Sequence, residues 1–168
     1  MLGYVESDVR GPIEVWYSAE REVLRLQNGR LVGASGAAIE WRRVDLPFIP
    51  AWSDLARTAQ PLRFVRTRDV MPGYRVGLRD ALTLRPVGPP SRSALAGLDA
   101  AAVLWFEERF EAPSRGLAAS QDDAVLPPAR YAVRLDAGGE IVVYGEQCLS
   151  VKLCFTWQRW PVAPENRK

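Results

Sequence analysis

The dipeptide Asn28-Gly29, set between two runs that alternate apolar and polar residues, limits what this chain can fold into more than any other feature. Val23-Leu24-Arg25-Leu26-Gln27 and Arg30-Leu31-Val32 have the period of half-buried strands. A type I′ turn needs positive φ at both central positions, which Asn-Gly tolerates best. A two-residue loop pairs Gln27 with Arg30 and sets Leu26 opposite Leu31, on the face expected to meet the core. A second segment, Tyr131 to Tyr144, follows a similar scheme: Tyr131, Val133 and Leu135 alternate with Ala132, Arg134 and Asp136, and Gly138-Gly139 supplies the turn. There Ala137 leaves the register open. Each hairpin is trailed by a tryptophan-arginine patch, Trp41-Arg42-Arg43-Val44 in one and Trp157-Gln158-Arg159-Trp160 in the other. The units, about residues 13–90 and 100–163, read either as a diverged internal repeat or as two hairpins of a common type.

The remaining segments support the same class. Pro47, Pro50 and Pro61 mark an irregular crossing with one short helical turn around Ser53 to Ala59. Arg63 to Arg68 and Tyr74 to Arg85 read as strands joined by Met71-Pro72-Gly73. In the second, Tyr74, Val76 and Leu78 share one face, and Arg75, Gly77 and Arg79 the other. Gly88-Pro89-Pro90-Ser91 breaks the sheet. Ser93 to Ala102, rich in alanine and leucine, is the best helix candidate, and Val103 to Glu111 is read as a strand after it. Residues 113–128 form a polar loop. The expected fold is a single mainly β domain over residues 1–168: antiparallel sheets, as a sandwich or partly open barrel built from two similar hairpin units, with one or two short helices.

Composition narrows function mainly by exclusion. With 168 residues, 48% hydrophobic and 25% charged, the chain has the profile of an ordinary globular domain with a real core. It has no histidine, which removes Ser-His-Asp and Cys-His nucleophiles, imidazole-bound zinc and the commonest general base. Paired carboxylates remain, and Glu107-Glu108 and Asp122-Asp123 are the adjacent ones. Neighbours on a strand point to opposite faces, not across a cleft, and both pairs are read as solvated. The glycine-containing segments match no phosphate-binding loop. No catalytic residue, metal site or cofactor is expected.

No apolar run is long enough to span a membrane as a helix. Met1-Leu2-Gly3-Tyr4-Val5-Glu6 lacks the basic and apolar regions of a signal peptide, so the expected compartment is the cytosol unless a leader has been removed. Cys148 and Cys154, with five residues between them, would close a small disulfide loop in an exported protein or remain buried thiols in the cytosol.

Two groups are candidate binding residues. Arg63, Arg66, Arg68, Arg75, Arg79 and Arg85 outnumber Asp69 and Asp80 within residues 63–85. They read as a solvated outer face that blocks edge aggregation, with a patch for an anionic polymer or headgroups as the alternative. Of six tryptophans most belong in a core. Trp157 and Trp160 fall on opposite faces of an extended segment, so at most one of them is on display for stacking.

At Trp16-Tyr17-Ser18, at Asn28-Gly29-Arg30-Leu31-Val32 with Ser35-Gly36, and at Tyr144-Gly145-Glu146-Gln147-Cys148, the chain resembles the YjbF/GfcB type of bacterial lipoprotein. That family is associated with exopolysaccharide and group 4 capsule production. The resemblance implies an exported β-rich accessory protein on the periplasmic face of the outer membrane. Its partners would be an envelope polysaccharide or a secretion-apparatus protein, and its membrane contact would run only through an N-terminal lipid. It implies no catalytic residue. The sequence departs from the pattern in showing no leader and no lipobox cysteine. The competing reading is a cytosolic module that uses the residue 63–85 arginines for nucleic acid, which is not the expected partner.

Overall fold

The alternating runs become the strands of one antiparallel meander. A computed structural model describes residues 1–58, 60–111 and 125–159. Its strands are β1 (Leu2–Glu6), β2 (Ile13–Tyr17), β3 (Val23–Gln27), β4 (Arg30–Ser35), β5 (Glu40–Asp45), β6 (Leu62–Met71), β7 (Arg75–Val87), β8 (Leu104–Phe110), β9 (Ala129–Asp136), β10 (Gly139–Ser150) and β11 (Leu153–Gln158). One helix, α1 (Trp52–Arg57), lies in the crossing between β5 and β6, near the expected position. Sheet order and chain order coincide. The sheet curls into a half-barrel, so of the two expected architectures the partly open barrel is the one formed.

Asn28 and Gly29 have φ of 49° and 77°, Leu26 pairs with Leu31 and Gln27 with Arg30. Gly29 answers a second demand: a Cβ there would sit 2.6 Å from the side chain of Val142, so the tip of the first hairpin is pressed against β10. Gly145 serves similarly, since a Cβ would meet the Trp157 indole at 2.6 Å. The second hairpin turns on Ala137-Gly138, with Asp136 opposite Gly139, one residue earlier than the glycine pair suggests.

Apolar residues cover both faces of part of the sheet. The inner face holds the main core, including Leu26, Leu31, Trp41, Trp52, Phe106 and Tyr131. Outside, Trp105, Ala132, Val143 and Tyr144 are covered by Leu95 and Leu98. This outer cover explains why the helix expected at Ser93 to Ala102 shrinks to a 3-10 turn, Ala100–Ala102. The Ala94 N–H donates to Tyr144 Oη and the Ala96 N–H to Gln158 Oε1, while Gln158 Nε2 donates to the Ala96 carbonyl. Of these groups the Ala96 carbonyl is one that a helix would pair internally, and here it is bonded to a side chain instead. The same cover buries Ala132, expected on the polar face, whereas Leu135 is 47% exposed because the hairpin tip runs past the core.

A further correction concerns the start of β7. Tyr74 and Val76, expected to face the core, are 82% and 71% exposed. Val70 pairs with Arg75 and Arg68 with Leu78, so Val76 and Gly77 together oppose Asp69, whose carboxylate accepts the Gly77 N–H. This bulge resets the alternation. Among the described residues β8 pairs with β7 only from Leu82 onward, so the end of the hairpin extends beyond that pairing.

Cys148 and Cys154 are register partners on β10 and β11 and form a disulfide. Reduction should lower stability by about 2 kcal/mol, because the closed loop is short. Urea denaturation with and without reductant reads this directly, and coincident midpoints would show that the bond constrains nothing.

Candidate functional site

The inner face carries a polar cluster as well as a core. Phe64, Arg66, Arg68 and Val70 share one side of β6. Arg66 and Arg68 are 6% and 8% exposed, so they form neither a solvated face nor a patch for polymers. Arg66 Nε donates to Asp80 Oδ2 at 2.9 Å, and Arg68 Nε and Nη2 donate to the two Asp80 oxygens at 2.7 and 3.1 Å. Arg66 Nη1 also reaches Glu108 Oε1 at 3.3 Å. Both guanidinium groups lie over the Trp41 ring, at 4.6 and 5.0 Å from its centroid. Stacked, bidentate arginine suits such a site because guanidinium is weakly hydrated and planar.

The other expected binding residues scatter. Arg63 is exposed and pairs with Glu111 at 2.9 Å. Arg75 is half-buried at the end of that hairpin, and Arg79 is exposed. Arg85, half-exposed, reaches Glu107 at 3.3 Å. Trp157 is 7% exposed and packs on Trp16 at 5.6 Å between centroids, so it is core. Trp160, Asp122, Asp123 and most of the expected 113–128 loop lie outside the described residues. With Arg66 and Arg68 turned inward, the nucleic-acid reading loses the middle of its surface.

Glu107 and Glu108 do point to opposite faces, but both are buried, at 5% and 4% exposure. Glu107 receives Arg109 and Arg85. Hydrogen bonds from Arg109 first, then Arg85, hold its carboxyl below the usual range against the opposing effect of burial. Glu108 faces inward among Arg66, Arg30 and the Tyr131 hydroxyl. Parity could have revealed this: Arg66 and Arg68 alternate in step with Phe64 and Val70, as Asp80 does with Leu78, Leu82 and Leu84.

Between β4 and β5 only Ala34 and Trp41 are register partners, and side chains from β10 fill the split. The Leu31 N–H donates to Gln147 Oε1 at 2.8 Å, and Gln147 Nε2 donates to the Gly29 carbonyl at 3.1 Å. Trp41 Nε1 donates to the Leu149 carbonyl. These bonds seat the Asn28-Gly29 turn at the mouth of the half-barrel. Beside it stands α1, whose first N–H groups, on Trp52 and Ser53, both donate to the Glu140 carboxylate at 2.9 Å. A residue of the second hairpin thus caps the helix beside the first.

Around this turn runs a groove made of three hollows. One of about 350 Å³ lies between the hairpins, against Gly29, Trp52 and Glu140. Two of about 390 Å³ each share Asn28, Arg30, Phe48 and Ile49. Arg30 is 5% exposed, with its Cζ 3.8 Å from the Trp52 ring centroid and 5.7 Å from that of Tyr131. Burial pushes its pKa down, opposed by Tyr131, Glu108 and Glu140. Phe48, 90% exposed, stands on the rim. None of Arg30, Trp52 and Phe48 is marked as a site by the sequence, because the curl of the sheet brings them together.

Two phenols make stability fall with alkali. Burial, then Glu108, pushes Tyr131 well up, and burial, then a hydrogen bond to Glu146, raises Tyr144. Above the ordinary phenol pKa of about 10 the unfolded chain releases protons that the folded one keeps, so unfolding becomes easier as pH rises. Urea midpoints should therefore be level up to about pH 10 with respect to these groups and decline beyond it. Tyr144→Phe should flatten part of that decline, and an unchanged slope would remove Tyr144 as a cause.

No helix among the described residues is long and apolar enough to cross a membrane. Among them there is also no group of three or more His, Cys, Asp or Glu placed to hold a metal ion. No family model matches the chain, and no curated protein matches it. Among solved structures it is similar to the hypothetical lipoprotein YmcC from Escherichia coli (K12), with a TM-score of 0.52 and 16% identity, covering 94% of this chain and 78% of that one. The likeness is one of fold alone.

Proposed function

We propose that this protein is a non-enzymatic, lipoprotein-like accessory module of bacterial exopolysaccharide or capsule production. It acts at the periplasmic face of the outer membrane and holds a polysaccharide segment in the groove around Asn28-Gly29. The observation that carries this reading is Arg30, a buried guanidinium seated on Trp52 at the mouth of the half-barrel, beside the exposed ring of Phe48. The resemblance to the YjbF/GfcB lipoproteins supports it, as does the fold likeness to a lipoprotein. The Cys148–Cys154 disulfide suits an oxidising compartment. Arginines engage the buried carboxylates Asp80, Glu107 and Glu108, which favours holding a ligand over turning it over.

The test is titration of the purified protein with an acidic exopolysaccharide and with neutral dextran. The acidic polymer should bind, more weakly as salt is raised, and should keep its length on prolonged incubation. Absence of binding to either polymer would remove the reading, and shortening of the polymer would overturn its non-enzymatic part. A secretion-apparatus protein is a second candidate partner, supported by β1. Among the described residues this strand pairs only with β2, and Tyr4 and Val5 are 46% and 55% exposed, an edge open to strand addition. Val5→Pro should then release a partner that co-purifies with the parent, and an undiminished yield of that partner would exclude the edge.

A further inference from the structure

We propose that Arg30 anchors a subsite for the carboxylate of an acidic sugar, in the hollow between Arg10 and Phe48. This deepens the function proposed above and rests on it. The first argument is charge. The inner polar cluster sets three guanidinium groups, Arg30, Arg66 and Arg68, against two carboxylates, Asp80 and Glu108. Three positive charges and two negative ones leave one positive charge within the cluster, and Glu140, a further carboxylate near Arg30, is engaged by the first N–H groups of α1.

The second argument is where that charge resides. Asp80 and Glu108 hydrogen-bond Arg66 and Arg68. Arg30 gets only a 3.9 Å approach to Glu108 Oε2, and its buried Nε and Nη2 have no hydrogen-bond partner among the described residues. A buried guanidinium with two nitrogens unbonded is costly. An incoming anion would relieve that cost.

The hollow then selects the ligand. Towards α1 the groove is lined by Asp54 and Glu140 as well as Arg30, and those carboxylates repel an anion. On the other side the charged lining residues are Arg10 and Arg30 alone. Arg10 is held there by Nη1 donating to the Leu46 carbonyl at 3.0 Å, with the Asp8 carboxylate 3.8 Å from its Nε. A planar monoanion matches both the single excess charge and the guanidinium fork. Phe48, on the rim of the same hollow, offers a ring face to the sugar. Binding needs the guanidinium edge, whose Nε and Nη2 are buried, to turn into the hollow on the Trp52 platform.

Sodium glucuronate, glucose and glycerol phosphate are the probes, read by amide chemical-shift titration of the intact protein. Glucuronate should bind at least about tenfold more tightly than glucose, and Arg30→Met should remove that advantage. Arg30→Met should also melt no lower than the parent, because it deletes an unbalanced buried charge. Phe48→Ala, at an exposed position, should weaken glucuronate several-fold with no change in melting. Equal binding of glucuronate and glucose would overturn the proposal, as would tighter binding of glycerol phosphate. So would an Arg30→Met protein that still prefers glucuronate, or one that melts far below the parent, since Arg30 would then be a structural partner of Glu108. Glucuronate binding through Arg30 without binding of acidic polysaccharide would keep the subsite and discard the polysaccharide function. Polymer binding unaffected by Arg30→Met would do the reverse.

Discussion

Replacing Asp80 with alanine should lower the unfolding free energy by about 3–5 kcal/mol, the usual cost of stripping one partner from a buried ion pair. For a domain of this size that is a fall of roughly 10 °C in melting temperature. Asp80 is 4% exposed and accepts from Arg66 and from two nitrogens of Arg68. Without it Arg66 keeps Glu108, but Arg68 loses both acceptors while remaining stacked against Trp41. Water has little access at 8% exposure, so the charge cannot simply be rehydrated. Asp80→Asn, which keeps an acceptor and loses the charge, should fall between. A triple change of Arg66, Arg68 and Asp80 to apolar residues of similar volume should cost much less than the single one, because it removes the desolvated charges together. A loss below about 1 kcal/mol for Asp80→Ala in urea denaturation would mean that the cluster is hydrated, not sealed.

Trp52→Ala is expected to cost a similar amount, about 3–5 kcal/mol, through the cavity it leaves. Trp52 is 2% exposed. Its ring packs on Phe106 and Tyr131 at 4.8 and 5.1 Å between centroids, its indole N–H donates to the Asn28 carbonyl at 3.3 Å, and its backbone N–H is capped by Glu140. One side chain thus joins α1, the inner core and the turn of the first hairpin. Trp52→Phe keeps the platform under Arg30 and loses the indole hydrogen bond, so about 1 kcal/mol is expected for it. Far-ultraviolet dichroism in urea separates the two variants, and equal costs would place the energy of Trp52 in its hydrogen bond instead of its packing.

The misplaced expectations share a cause. Leu135, Tyr74 and Val76 alternate as half-buried strand residues do, yet among the described residues each lies where its hairpin extends beyond the pairing with β8, and alternation says nothing about where a neighbour ends. Taken one element at a time, Ala132 and the segment from Ser93 to Ala102 carry the patterns of a strand face and a helix, whereas in the fold each completes the other: the segment lies across β10 and its N–H groups bond to Tyr144 and Gln158. For the buried arginines the information was present as parity with Phe64, Val70, Leu78 and Leu82. It was overridden by the rule that charges stay outside, which fails where opposite charges meet across a strand pair, as Arg66 and Asp80 do.

Local chemistry determined the β class, the turn at Asn28-Gly29 with its register, a turn around Pro72-Gly73, one residue later than Met71-Pro72-Gly73, the short helical turn after Pro50 and the opposed faces of Glu107 and Glu108. Each depends on residues a few positions apart, through φ preferences and the two-residue period of a strand. Tertiary structure alone decided that Gln147 would seat a turn more than a hundred residues away in the chain and that Arg30 would stack on Trp52 with its buried Nε and Nη2 unbonded. Those outcomes depend on the accumulated twist of eleven strands. No short stretch of sequence encodes that twist, and the candidate site exists only where the curled sheet brings its two hairpins together.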